Sequence, residues 1–339
     1  MQVLSLPVLL AALTTLAGAQ QPMSHAMHAM PAAESPALHV TVDSVRSLVV
    51  LRAGPFRIEP MGEDMQMQDE ELSFRLPVDG WLHGYHVDLV DGANQPLPRD
   101  DIHHVGLVNF NRRELLYPEL ERMLAAGAET EGIDLPASMG LPISRDDSLH
   151  FFAGLHSANG KSVSGAYVQI TLKWTPKRGH GPLAVLPFYV DVNSHVGGTT
   201  AFDLPPGRTT RSADFTMPLS GGLIAIGGHM HPYGKSLALQ DAESGKTLAR
   251  LTTDLGPDGT VRKLTRFVFG YNQDALRLEA GHRYRVIAVY DNTSGKTLPM
   301  GGMASMAGPF VPDDYTQWPK LDLTNPDTRR DIASLRLNN

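Results

Sequence analysis

Short runs in which apolar and polar residues alternate fill most of this chain. Residues 39–42, 47–51 and 72–78 keep a period of two, which sends successive side chains to opposite faces of a strand. Residues 81–90 and 102–110 continue the pattern, as do 149–155 and 167–174 around a turn at 156–160. One segment breaks it. Residues 112–126 carry leucines at 115, 116, 120 and 124, a spacing that predicts a helix, with Pro118 in its first turns or splitting it. Residues 175–182 are polar, basic and rich in Pro and Gly, and mark a domain boundary. Beyond it the strand texture resumes at 183–192, 209–217, 219–240 and 281–292. A Gly-rich hairpin follows over 300–306, and 309–312 closes the sheet. After Asp313 the chain turns polar, with a short helix expected over 327–335, capped from Asn325 or Thr324. The pattern predicts an all-β protein: a first domain over 39–176, a second over 177–312 and a tail over 313–339.

Composition narrows what such a protein can do. Apolar residues are 42% of the chain and charged ones 19%, which suits a sizeable core. The 32 glycines and 25 prolines fit a design with many turns. A formal net charge of -7 provides no basic footprint for nucleic acid. There is no cysteine, so disulfides, zinc ribbons, iron–sulfur clusters and thiolate copper sites are all excluded. Any metal must rest on His, Met and carboxylates, and the chain has 14 each of His and Met. At the N-terminus an apolar stretch over 3–16 leads to Ala17-Gly18-Ala19, the small-x-small pattern of a cleavable export signal over 1–19. A Met- and His-rich disordered linker is expected over 20–38, with a tract at 23–30 able to pick up copper. No other segment reaches the roughly 18 apolar residues of a transmembrane helix. The expectation is a periplasmic or secreted protein without a membrane anchor.

Four places hold residues suited to metal chemistry. His103 and His104 are adjacent, so on a regular strand they face opposite sides, and only a bulge or strand end turns them together. His156 stands at a strand end beside a turn. His229 and His231 are two apart and share one strand face. Met300, Met303 and Met306 recur at spacing three in a glycine-rich segment, a poor pattern for a strand core but a source of soft thioether ligands.

In this order, His-His, single His, His-x-His and Met, the chain resembles the copper type II, ascorbate-dependent monooxygenases, the family of peptidylglycine α-hydroxylating monooxygenase and dopamine β-monooxygenase. The motifs that carry the likeness include Ile102-His103-His104, Leu155-His156-Ser157, Phe188-Tyr189-Val190-Asp191-Val192 and His229-Met230-His231-Pro232-Tyr233-Gly234-Lys235. Together they span roughly residues 56–312. The resemblance implies two tandem jelly-roll-like β-sandwiches facing across a cleft. It implies two copper ions: one on His103, His104 and His156 in the first domain, the other on His229, His231 and a methionine in the second. Met303 best preserves the following strand and Met306 the hairpin length. The implied activity is hydroxylation of a small organic C–H substrate with O2 and an ascorbate-like reductant. A non-catalytic copper protein of the same fold, serving storage, delivery or scaffolding, is the alternative. Two departures stand out. The disulfides of the mammalian members are missing, and Gly227 occupies the place of an arginine that holds a peptide carboxylate, which argues against a glycine-extended peptide as substrate.

Overall fold

The structure is a computed structural model that describes residues 35–339, apart from 61–67, 131, 178, 180, 194–198, 272–273 and 337–339. The expected export signal and the tract at 23–30 lie outside the described residues. Within them the chain is almost entirely β, as the period-two pattern predicts.

The first half forms two facing sheets. One runs Ala37–Asp43, Leu48–Ile58, Val163–Pro176, Gly80–Val90, Met139–Ile143 and Leu183–Ala184, and the other Gln68–Arg75, Ser148–Leu155, Ile102–Arg113 and Leu120–Ala126. Alternate residues such as Val49, Leu51 and Ala53 from one sheet, and Val105, Leu107 and Phe151 from the other, fill a shared core. In the second half a sheet built around Ala304–Pro312 faces one that runs Gly207–Thr216, Arg283–Asn292, Gly234–Asp241, Thr247–Leu255 and Val261–Leu264. Tyr284, Val286, Ala288 and Tyr290 alternate inward there, among the residues of a second core. Two sandwiches therefore stand in tandem. The changeover comes slightly later than the polar stretch suggests. Leu183–Ala184 still pairs with the first half, and Leu186 still packs in the first core. Among the described residues no helix is long and apolar enough to cross a membrane.

The helix expected over 112–126 is not formed. Residues 120–126 are a strand paired antiparallel with Ile102–Arg113, from Val105↔Ala126 to Arg113↔Leu120. Leu115 belongs to the second core with Leu116 against it, whereas Leu124 belongs to the first. The leucines therefore serve different cores rather than one helical stripe. Pro118, which lacks an N–H, sits in the irregular link between the strands.

Strand pairing also buries charge. Glu121 is fully buried and neither carboxylate oxygen finds a hydrogen-bond partner. Burial, only partly offset by the Arg112 guanidinium, pushes its carboxyl up to about 7. Between its ordinary value near 4.5 and that point the folded chain keeps a proton that the unfolded chain releases. Stability is thus lost as pH rises through this window. Glu121→Gln should match the parent protein at pH 4 and exceed its unfolding free energy by about 3 kcal/mol at pH 8. Urea denaturation at the two pH values measures this; an equal gain at both would tie the effect to packing instead of charge.

Candidate metal centre

The histidine pair lies where the ladder between Ile102–Arg113 and Ser148–Leu155 slips. Ile102 pairs with Leu155 and His104 with Gly154, leaving His103 as the extra residue of a bulge. The bulge provides the turn that adjacent histidines need to face one place, and their ring centroids are 5.1 Å apart. His156 follows directly on the neighbouring strand. Its N–H donates to the Asp101 carbonyl at 3.1 Å, and Asp101 Oδ1 accepts from Ala158 N at 2.8 Å. The buried Asp101 thus ties the His156 turn to the start of the His-pair strand. The His156 ring centroid lies 5.6 Å from that of His103.

His229 and His231 come from the second half. Along Ala225–Met230 the intervening Met230 points into the second core, 2% exposed, so its two neighbours share the other face. Their centroids are 5.4 Å apart. The His231 N–H donates to the Met303 carbonyl at 3.0 Å. The chain then turns through Tyr233, whose φ of 66° lies in the left-handed region. Backbone bonds from Tyr233 N to Gly259 O and from Asp291 N to Tyr233 O hold that turn.

The two halves bring their histidines together. The His103 ring is 5.7 Å from His229 and 5.1 Å from His231, centroid to centroid. One ring nitrogen from each of His103, His229 and His231 lies within 4.8 Å of the others. The rings of His104, His156, His229 and His231 thus all lie 5.1–5.7 Å from that of His103. Met306 does not join them. It is fully buried in the second core, paired with Gly228, while His229 pairs with Ser305 one step along and faces the other way. Met303 is half-buried and tied to His231 through its backbone. Met300 is 42% exposed on the hairpin.

The electrostatics suit ligand nitrogens. Burial, reinforced by the His229, His104, His231 and His156 rings, holds His103 far below the ordinary imidazole range. Burial with His229 and His104 lowers His231 to about 3, and burial lowers His156 against the pull of Asp101. These rings are neutral at physiological pH and keep a lone pair for a cation. His229 differs. Burial pulls it down, but the Glu129 carboxylate, 2.5 Å from Nδ1, outweighs that and raises it. Nε2 of His229 and Nδ1 of His156 are buried with no hydrogen-bond partner, and the nitrogens of His231 are buried near the Met300 and Gly301 carbonyls without a well-formed bond. Buried polar atoms of this kind normally find a partner, and a metal ion is one that imidazole nitrogens take. The residues present therefore fit a metal.

Sequence reasoning missed Glu129 and Asp101. Glu129 sits in the polar run Ala128-Glu129-Thr130-Glu131, which reads as an ordinary surface loop. Asp101 follows another acidic residue, Asp100, with no spacing signal toward the histidines.

No protein-family model and no curated protein matches the sequence. Solved structures with some similarity include that of the Sulfolobus turreted icosahedral virus, at 7% identity and a TM-score of 0.39, over 90% of this chain and 98% of that one. The major capsid protein of bacteriophage PM2 reaches 12% and 0.34 over 72% and 93%. PNGase F, a glycosylasparaginase from Flavobacterium meningosepticum, reaches 9% and 0.37 over 81% and 96%. Likeness at these scores carries no inference about function.

Proposed function

We propose that this chain is an exported copper protein of monooxygenase type, with its metal held in the histidine cluster between the two sandwiches. The observation that carries the reading is the meeting of His103, His229 and His231 with ring nitrogens within 4.8 Å, Nε2 of His229 and Nδ1 of His156 being buried and without hydrogen-bond partners. Imidazoles alone suit copper and zinc equally. Copper is favoured by the order of motifs along the chain and by a thioether-bearing residue, Met303, whose backbone is bonded to His231. Copper held there would supply one-electron redox chemistry toward O2, with an external reductant and a small organic C–H substrate. The chain's own part is to keep His103, His156 and His231 neutral, to hold His229 against Glu129 and to gather the rings at one place.

One observation favours the second reading, a copper protein without catalysis. With the other four rings 5.1–5.7 Å from His103, the histidines are numerous enough to close an ion's coordination sphere, and a closed sphere suits holding the ion more than catalysis. Oxygen uptake separates the two. Copper-loaded, reduced protein is expected to consume O2 faster than the metal-free chain and faster than copper-treated His231→Ala. Uptake equal in all three would rule out the enzyme and leave storage or delivery.

A further inference from the structure

The loop Gly127–Thr130 follows Leu120–Ala126, an edge strand of the first sandwich, and reaches a histidine of the second. Glu129 Oε1 lies 2.5 Å from His229 Nδ1, and the Glu129 side chain is only 5% exposed. The contact spans 100 positions of sequence. We infer that Glu129 is a positioning residue for the metal centre: by accepting the Nδ1–H of His229 it fixes that ring's tautomer and directs Nε2 at the metal. This rests on the metal reading given above and deepens it.

Three independent features support the inference. His229 Nε2, the nitrogen left over, is buried without a partner, and a ring nitrogen of His229 is among the three that meet within 4.8 Å. With Nδ1 engaged by the carboxylate, Nε2 is the one available. Secondly, the loop is built to hold Glu129 still. The Arg99 guanidinium donates to the carbonyls of Ala128 at 3.3 Å and Gly127 at 3.1 Å, and also to that of Thr130. The Gly127 N–H donates to Thr130 Oγ1 at 2.5 Å. Thirdly, the acid folds back over Gly127. A Cβ there would stand 2.6 Å from Glu129 Oε2 and 3.1 Å from the His103 carbonyl. A carboxylate on the far nitrogen of a ligand histidine orients the ring and raises its basicity. In this chain that carboxylate comes from the opposite sandwich, so the site is set correctly only when the two halves are together.

Cu(I) affinity by competition with a chromophoric chelator tests this, alongside nitrogen-15 NMR of labelled histidines in the Cu(I) form. Glu129→Ala should weaken Cu(I) by about 10–100-fold while the protein stays folded. Glu129→Gln, which still offers an oxygen to Nδ1–H, should recover most of the loss. In the parent protein His229 should show a protonated Nδ1 and a metal-bound Nε2. Parent-like affinity in Glu129→Ala, or coordination through Nδ1, would overturn the positioning role and leave the metal reading standing. A parent protein that takes up no copper would sink both.

Discussion

Replacing His103 with alanine is expected to weaken copper binding at His229 and His231, although the substitution lies in the other sandwich. Ring centroids 5.7 and 5.1 Å away place His103 within reach of any ion bound by the second-half pair, and the three ring nitrogens gather within 4.8 Å. Losing one of three such ligands should weaken copper by more than the roughly 100-fold upper range for an outer partner, which is above about 2.8 kcal/mol. His231→Ala should do the same. The double variant should lose little beyond either single one, because ligands of a shared ion act as a unit and their losses do not add. Metal analysis after dialysis and Cu(I) competition measure both quantities. Should His103→Ala keep a tightly bound ion that is lost only with His229 and His231, the sites are separate, as the resemblance alone implies. Additive losses in the double variant would point the same way.

How much of this was legible in the sequence depends on the range of the interaction. Strands such as Leu48–Ile58 and Arg283–Asn292 were readable because period-two burial is a local property. The histidines were readable because imidazoles carry their chemistry wherever the chain places them. The bulge at His103 could be stated only as a condition, since it depends on the register against Gly154 and Leu155, about 50 positions away. Leucines at 115, 116, 120 and 124 misled for a related reason: spacing cannot tell one helical stripe from residues divided between two cores. Met303 and Met306 looked alike until pairing with Gly228 turned Met306 into the core. Glu129 left no trace, because its partner lies 100 residues on. What joins the two halves is non-local, and the histidine cluster is built from it.

The C-terminal segment, expected as a polar tail with a short helix, is anchored to the first sandwich, and cutting that anchor should be costly. The helix Pro326–Arg336 starts at Asn325, whose side chain accepts from Asp327 N at 2.8 Å. With 11 residues it is too short to persist alone in water. Asp331, 1% exposed at its side chain, accepts from Arg122 at 2.6 and 3.0 Å and from Leu120 N at 2.8 Å. Thr328 Oγ1 adds a bond to the Pro118 carbonyl at 2.8 Å. Asp331→Ala leaves the buried Leu120 N–H without its acceptor and leaves the Arg122 cation only Glu119, 3.6 Å away, and the Leu120 carbonyl, and should lower the unfolding free energy by about 1–3 kcal/mol. Asp331→Asn keeps an oxygen for Leu120 N and loses the charge, so it should fall between the alanine variant and the parent. Urea denaturation gives the magnitudes, and hydrogen exchange over 326–336 should show the helix opening first in the alanine variant. The same strand, Leu120–Ala126, runs directly into the loop that carries Glu129. Its far end pairs at Val105, one residue beyond His104, so the clamp and the histidine cluster sit at opposite ends of one element. Copper affinity of the folded Asp331→Ala protein should therefore stay within a few-fold of the parent. A stability change below about 1 kcal/mol would show that the Arg122–Asp331 pair contributes no more than a surface ion pair, and that packing alone seats the helix.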